Sequence, residues 1–221
     1  MLRHRTTAGV LLAQKLDALR GHGPAVIVAL NRGGVPVAYP VARLLGFPLD
    51  VIVAHAIPSP ADPEVVMGSV SEAGAVAIDG YVRDRFDVDG TILDRELSGL
   101  QNGVSMEADR LRRGRVPITL DGCVAVLVDD GLANWGTDQL AAMRALRKRG
   151  AHSVVLATPV APQRALERLG KELDGIVALE MPDEVTDPGD AFENHDPVPL
   201  EEAAALLEHA RWPVWAETPL A

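Results

Sequence analysis

Two adjacent carboxylates, Asp129 and Asp130, directly follow the apolar run Cys123–Val128. A continuous apolar run bounded by turn signals is typical of a strand that is buried on both faces of a parallel sheet. Ligands of open α/β sheets bind beyond the carboxyl ends of such strands. Buried carboxylates are costly unless they are solvated, paired or bound to a ligand. We therefore interpret both as ligand-binding groups, although backbone donors of the following loop could also satisfy them.

The loop Gly131–Thr137 leads from these carboxylates into a segment with helical spacing. Free backbone N–H groups at a helix start attract anions. Carboxylates and loop together predict a site for a polyol that carries a phosphate. The chain lacks G-x-x-x-x-G-K-[ST] and G-x-G-x-x-G, so the nucleoside triphosphatase and dinucleotide-binding classes are disfavoured.

An earlier segment has the same pattern of a buried strand, a short loop and a helix. Ala25–Leu30 is a second buried-strand pattern, and Asn31–Gly34 connects it to a helix with Pro36 in its first turn and Gly46 at its end. Leu49–Ala54 is the next strand. Residues 25–54 therefore predict a strand–helix–strand unit with parallel strands.

Residues 55–74 interrupt this alternation, because Pro58, Pro60 and Pro63 disfavour regular structure. We expect a loop or a small hairpin beside the sheet, followed by a short strand at Ala75–Ile78. A long irregular excursion in a compact domain is more often functional than accidental.

The rest of the chain alternates helices and strands. Helices are expected at 91–113, 138–149, about 163–170 and 200–210, and strands at 153–158 and 175–179; residues 180–196 read as a solvated loop. The basic cluster Arg110, Arg112, Arg113 and Arg115 reads as a solvated helix end, with a phosphate- or partner-facing patch as the alternative.

The predicted fold class is α/β, a doubly wound, mainly parallel sheet flanked by helices. One domain is expected over residues 1–221. Its core spans about residues 24–180, a hood or flexible loop spans about 55–90, and a C-terminal helix and tail span 197–221, with Trp212 and Trp215 in the tail.

Composition limits the partners. The chain has 221 residues, 48% of them hydrophobic, and a net charge of -10, so it has no global attraction for nucleic acid. A single cysteine, Cys123, is compatible with a reducing compartment. The apolar core of the N-terminal segment is too short for a signal peptide, and no run approaches the roughly 18 apolar residues of a membrane span. We expect a cytoplasmic protein without nucleic-acid or membrane partners.

Two motifs carry a family resemblance. Val126–Ala133, followed by Gly136-Thr137, resembles the signature of type I phosphoribosyltransferases, and Ala29–Ala38 resembles the matching pyrophosphate loop. Pro63-Glu64, Met67-Gly68 and Ala157–Pro162 are similar to one bacterial branch of that family. The similarity covers most of residues 1–200.

The resemblance implies binding of 5-phosphoribosyl 1-pyrophosphate (the donor) and transfer of its ribosyl phosphate to a small-molecule acceptor. Mg²⁺ would be carried mainly by the donor pyrophosphate, since no His/Asp/Glu cluster has ligand spacing. The hood would cover the acceptor, and a homodimer is plausible. Asp129 and Asp130 would take the ribose hydroxyls as catalytic residues. The implied substrate-binding residues are Arg32, Gly33, Gly34, His55, Gly131, Ala133, Asn134, Trp135, Gly136 and Thr137.

Three positions depart from the family pattern. Asn134-Trp135 stands where Thr-Gly is usual, and glycine there lets the backbone approach the 5′-phosphate. His55-Ala56 stands where relatives of the branch carry an Arg-Lys pair, so positive charge for the pyrophosphate is lost or pH-dependent. Asn31 stands where proline is common.

These observations leave three functions open. An active phosphoribosyltransferase is favoured by Asp129, Asp130, Arg32 and Gly33. A non-catalytic ligand-sensing or partner-binding protein of the same fold is favoured by Trp135 and the His55-Ala56 pair. Hydrolysis of a nucleotide or sugar phosphate at the same pocket would need a general base, and the sequence offers no candidate for it.

Overall fold

The computed structural model describes residues 2–87, 90–133, 136–170, 172–185 and 187–210. Its centre is a five-stranded parallel sheet with the order β2-β1-β6-β7-β8. The strands are β1 (Ala25–Leu30), β2 (Leu49–Ile52), β6 (Val124–Val128), β7 (Ser153–Val160) and β8 (Gly175–Glu180), and a second sheet contains β3 (Ala54–Ser59), β4 (Asp62–Ser71) and β5 (Ala75–Ile78). The helices are α1 (Arg5–Lys15), α2 (Asn31–Leu45), α3 (Gly80–Arg85), α4 (Gly90–Arg112), α5 (Thr137–Lys148), α6 (Gln163–Leu169) and α7 (Leu200–His209).

The strand order explains where a site can form. The chain leaves β1 towards β2 on one side, and it passes from β6 through β7 to β8 on the other. Neighbouring strands β1 and β6 are therefore followed by connections that diverge. A crevice at such a switch point is the usual ligand site of a doubly wound sheet. The predicted sheet class is confirmed, and both motif segments lie at this crevice.

Helices cover both faces of the sheet. One face buries Leu12, Val37, Val41 and Leu207 from α1, α2 and α7. The other buries residues of α5 and α6, including Leu146. Because both faces are covered, the strands read as continuous apolar runs in the sequence. No helix in the described part of the chain combines the length and hydrophobicity that crossing a membrane would require.

The connection after β1 differs from the predicted loop. Helix α2 begins at Asn31, so Asn31–Gly34 form its first turn and Pro36 lies inside the helix. Asn31 has a φ of 52°, a left-handed conformation that asparagine tolerates and that the proline ring forbids. Its side-chain oxygen accepts a hydrogen bond from Ala54 N at 2.8 Å. Asparagine at this position therefore joins the start of α2 to the start of β3.

The proline-rich excursion is regular. Of the two expected alternatives, the loop was wrong and the small hairpin is confirmed, as is the short strand at Ala75–Ile78. Strands β3, β4 and β5 form an antiparallel sheet in that order. Pro58 lies in β3 where the register with β4 shifts, and β3 is an edge strand. A residue without an N–H is tolerated at bulges and sheet edges. The residues expected to form the hood thus include a built sheet, which we call the second sheet.

The expectation of a solvated basic helix end was also wrong for Arg112. Its side chain is 3% exposed and lies between Asp50 Oδ1 (2.8 Å from Nε) and Glu72 Oε2 (2.8 Å from Nη1). Arg149 Nη2 reaches the other oxygen of Asp50 at 2.6 Å. Burial alone would raise the pKa of Asp50, but the two guanidinium groups outweigh burial and lower it. This buried ion cluster ties β2, α4 and the second sheet together.

The acidic segment after β8 is not a free solvated loop. It forms a short 3₁₀ turn at Pro188–Ala191. Leu2 N donates to Ala191 O (2.7 Å), and Glu193 N donates to Leu2 O (2.8 Å). The N-terminal residues therefore pair with this segment and hold it across the carboxyl end of the sheet. Trp212 and Trp215 lie outside the described residues.

Candidate functional site

Two adjoining cavities open at the crevice between β1 and β6. The first has a volume of about 320 Å³ and lies over the end of β6. Its lining includes the predicted residues Asp129, Asp130, Gly131, Ala133, Gly136 and Thr137. The second has a volume of about 310 Å³ and its lining includes the predicted residues Arg32, Gly33 and His55. Asn31 lines both cavities.

Gly34 lines neither cavity, but its lack of a side chain permits the close packing of α2 against β6 at the site. A Cβ at this position would lie 2.6 Å from Val128 O. The first turn of α2 can therefore pack directly on the end of β6. Asn134 and Trp135, the two predicted site residues that depart from the family pattern, lie outside the described residues.

Asp130 faces a neighbouring cation and a histidine. Its Oδ2 accepts hydrogen bonds from Arg5 Nε (2.8 Å) and from the imidazole Nε2 of His195 (2.9 Å), and Arg5 Nη2 also lies 2.8 Å away. Burial would raise the pKa of Asp130, but the His195 hydrogen bond and the Arg5 charge lower it. Asp130 is therefore held as a carboxylate at the mouth of the cavity.

Asp129 has neutral partners instead. Oδ1 accepts from the Asp130 backbone N–H at 2.8 Å, and Oδ2 accepts from the amide Nε2 of Gln139. Its side chain is buried, and that burial, together with the charge of Asp130, raises the pKa of Asp129 well above its usual range. The pKa values of the two adjacent carboxyl groups are thus shifted in opposite directions, upward for Asp129 and downward for Asp130.

Gly33 brings the two motifs into contact. A Cβ at Gly33 would lie 2.5 Å from Asp130 Oδ2, so any side chain there would displace the carboxylate. A close approach of backbone to a functional group is a common reason for glycine. The first turn of α2 and the end of β6 therefore form one site.

The second sheet contacts the start of α5. Ser69 Oγ of β4 lies 2.9 Å from Thr137 Oγ1 and donates to Asp138. Burial raises the pKa of Asp138, although the Ser69 hydrogen bond and the charge of His55 act to lower it. Gly136 adopts a φ of 61° just before this helix.

Arg32 and His55 share one carboxylate in the second cavity. Glu107 of α4 contacts Arg32 Nε at 3.0 Å and His55 Nε2 at 2.8 Å. Arg32 is 47% exposed, so its pair is largely screened by water. Both motif-derived basic groups are therefore available to a ligand only in competition with Glu107.

A match to a family model identifies the protein family of this chain. The model of the phosphoribosyl transferase domain matches residues 7–201. The chain belongs to the phosphoribosyl transferase family. The predicted family is confirmed, and the match covers most of α1, the core sheet and the segment that carries His195.

Individual relatives agree with this assignment. Two Mycobacterium tuberculosis proteins provisionally named phosphoribosyl transferases, MT0597 and Rv0571c, are each 37% identical over 210 residues, which cover 93% of this chain and 46% of each relative. The chain spans about half the length of these curated relatives. The crystal structure of TT1426 from Thermus thermophilus is 36% identical, with a TM-score of 0.79 and coverage of 95% of this chain and 99% of that one.

Several residues of this phosphoribosyl transferase domain escaped the sequence prediction. Predicted site residues are contacted by three helix residues, Arg5, Glu107 and Gln139, and by His195 of the segment before α7. Gln139 follows the phosphate loop closely in sequence, so its position in the first turn of α5 could have been noticed. Arg5 and His195 lie 125 and 65 residues from Asp130, and no local pattern connects them to it.

Proposed function

We propose that this domain transfers the 5-phosphoribosyl group of 5-phosphoribosyl 1-pyrophosphate to a small-molecule acceptor and releases pyrophosphate. The observation that carries the proposal is the contact between Gly33 and Asp130. It joins the pyrophosphate-loop segment to the ribose-binding segment at one crevice, with a cavity on each side.

The ribose would bind at Asp130. The described residues that donate to this carboxylate all contact Oδ2, so Oδ1 remains available to a ribose hydroxyl. Asp129 would act mainly on its neighbour, because both of its oxygens accept hydrogen bonds within the protein. The raised pKa of Asp129 also favours protonation of that group, which would limit repulsion inside the buried pair.

The two ends of the donor would occupy the two cavities. The 5′-phosphate would bind at Gly131–Thr137 and the start of α5, where backbone N–H groups and the helix dipole favour anions. Asn134 and Trp135 belong to that segment. The pyrophosphate would bind in the second cavity beside Arg32, Gly33 and His55.

The acceptor would lie under the second sheet. Ala56 of β3 and Val66 of β4 line the first cavity together with Asp130, and Val66 is 46% exposed. An exposed apolar wall suits a flat or apolar part of an acceptor.

The reaction would be a displacement at C1 of the ribose. The bond from C1 to the pyrophosphate oxygen breaks as the bond from the acceptor forms, and positive charge develops on the ring between these events. Such a reaction needs alignment of the partners and neutralisation of the leaving group more than it needs a protein nucleophile. The fixed carboxylate of Asp130 would supply alignment and a negative charge near the ring.

Mg²⁺ would enter with the donor and not as a resident ion. The described residues contain no group of three or more His, Cys, Asp or Glu side chains that could hold a metal ion. Asp130 contacts a guanidinium, and the raised pKa of Asp129 favours its neutral form, so the pair is a poor ligand set for a divalent cation. The pyrophosphate oxygens of the donor are better ligands.

Calorimetric titration with the donor, with and without Mg²⁺, tests the proposal. Binding at micromolar to millimolar donor is expected. Asp130→Asn should weaken it by on the order of 100-fold, because the amide cannot accept as a charged group does. Asp109→Asn, at an exposed position of α4, is the control and should leave it unchanged. No binding at millimolar donor would refute the proposal.

The non-catalytic alternative is supported by the contacts of Arg5 and His195 with Asp130, because a ribose hydroxyl would have to share that carboxylate with them. Release of pyrophosphate in the presence of a panel of nitrogen-containing acceptors separates the two functions. Donor binding without any pyrophosphate release would favour a ligand-sensing protein.

A further inference from the structure

The second cavity has little uncompensated positive charge from the motif residues. Arg32 and His55 both contact Glu107. A pyrophosphate group carries several negative charges, so its binding requires cations that can turn towards it. Another cation at the same cavity is Arg5, which belongs to neither motif.

Arg5 lies beside both cavities. It lines the second one, its side chain is only 10% exposed, and it contacts Asp130 Oδ2 of the first through Nε and Nη2. Nη1 donates to Asp196 O at 2.9 Å. A guanidinium has five N–H donors in a planar fork, so these contacts leave donors on both Nη1 and Nη2 for a ligand in the second cavity.

The backbone that carries Arg5 is fixed in place. Leu2 pairs with Ala191 and Glu193 through two backbone hydrogen bonds, and Asn194 N donates to Arg3 O at 3.3 Å. Arg5 itself is the first residue of α1. A side chain that starts from a fixed backbone loses less conformational entropy when it binds a ligand.

We propose that Arg5 is a donor-binding residue that contacts the pyrophosphate group of 5-phosphoribosyl 1-pyrophosphate. The proposal rests on the proposed function. In the unliganded protein Arg5 neutralises Asp130. When a ribose hydroxyl binds that carboxylate, the guanidinium bridges the carboxylate and the pyrophosphate. Arg5 thereby supplies positive charge that His55-Ala56 does not.

The ratio of the affinities for the donor and for ribose 5-phosphate isolates the pyrophosphate contribution, because the two ligands differ only in that group. Both are measured by calorimetry, directly or by competition, at fixed Mg²⁺ on the full chain. Arg5→Gln should lower this ratio about tenfold or more, as expected for the loss of a charge-assisted hydrogen bond. Arg5→Lys should lower it less, since charge is kept and the fork is lost.

Arg3→Gln is the matched control, because it removes the same charge from an exposed position of the same segment. It should leave the ratio unchanged. Thermal unfolding of every variant verifies that the chain is folded, and Arg5→Lys serves as the test if Arg5→Gln does not fold.

The outcomes separate the two proposals. If the wild-type chain binds the donor and the ratio is the same in Arg5→Gln and the wild type, Arg5 does not contact the pyrophosphate. An equal loss of affinity for both ligands also overturns the proposal, because Arg5 would then act only by positioning Asp130. If the wild-type chain does not bind the donor at all, the proposed function itself fails.

Discussion

Two buried carboxyl groups of the protein, Asp50 and Asp129, have pKa values that are shifted in opposite directions. Asp50 contacts two guanidinium groups, from Arg112 and Arg149, and its pKa is lowered. Asp129 is buried to a similar degree, but its donors among the described residues are a backbone N–H and an amide, and its pKa is raised. Guanidinium partners therefore lower the pKa of Asp50 against its burial, whereas burial and the neighbouring charge of Asp130 raise the pKa of Asp129.

This difference distinguishes the ion cluster around Asp50, which joins structural elements, from the Asp129–Asp130 pair of the candidate site. The ion cluster of Asp50 lies between elements and no oxygen of Asp50 is left for a ligand, since Arg112, Arg149 and the backbone N–H groups of Val51 and Ile118 occupy both. The Asp129–Asp130 pair lies at a cavity, with Asp130 only partly engaged. Incomplete pairing at a cavity is typical of a binding site.

The largest effect is expected from breaking the ion cluster. Arg112→Met should lower the free energy of unfolding by about 3–5 kcal/mol, because it leaves the charges of Asp50 and Glu72 buried with fewer partners. Denaturant titration measures this. Arg110→Met, at an exposed position of the same helix, should change stability by less than about 0.5 kcal/mol. Equal effects of the two substitutions would contradict a structural role of the cluster.

A smaller change in the free energy of unfolding, of opposite sign, is expected from the substitution of Asp129. A raised pKa means that the contribution of Asp129 is fully present below the unfolded pKa of about 3.9 and is lost as the pH rises through the folded pKa. Asp129→Asn should therefore stabilise the protein at pH 7, and by less at pH 4. Gln139 can turn its amide to accept from the new NH₂ group.

Asp50→Asn is the counterpart, since a lowered pKa gives stability that is present above about pH 3.9 and lost as the pH falls. Its cost should be largest at pH 7 and shrink on acidification. Unfolding free energies between pH 2 and pH 8 give both curves. Parallel curves for the two substitutions would remove the proposed difference between the clusters.

The smallest change in stability is expected at Glu107, a partly exposed carboxylate with two basic partners. Glu107→Gln should alter the free energy of unfolding by less than about 1 kcal/mol. It should nevertheless raise the affinity for inorganic pyrophosphate about threefold to tenfold, because a negative charge leaves the second cavity. Calorimetry measures the affinity, with Glu96→Gln on the same helix as control. A lower affinity in Glu107→Gln would show that Glu107 is needed to position Arg32 and His55.

The sequence by itself determined the parallel sheet and the place of the site. Apolar runs at Ala25–Leu30 and Val124–Val128 predict buried strands because both faces of a parallel sheet are covered. The residues that follow them must meet at the carboxyl edge. These patterns are local, and that is why they could be read, as could the family motifs around Asp130 and Gly33.

Only the tertiary structure decided the second sheet and the charge states. The prolines near residue 58 suggested irregular structure, but an edge position and a register shift accommodate Pro58. Arg5 and His195 come from distant parts of the chain to one oxygen of Asp130. A pKa depends on every charge and donor within a few ångströms, and such neighbours are set by folding and not by adjacency in sequence.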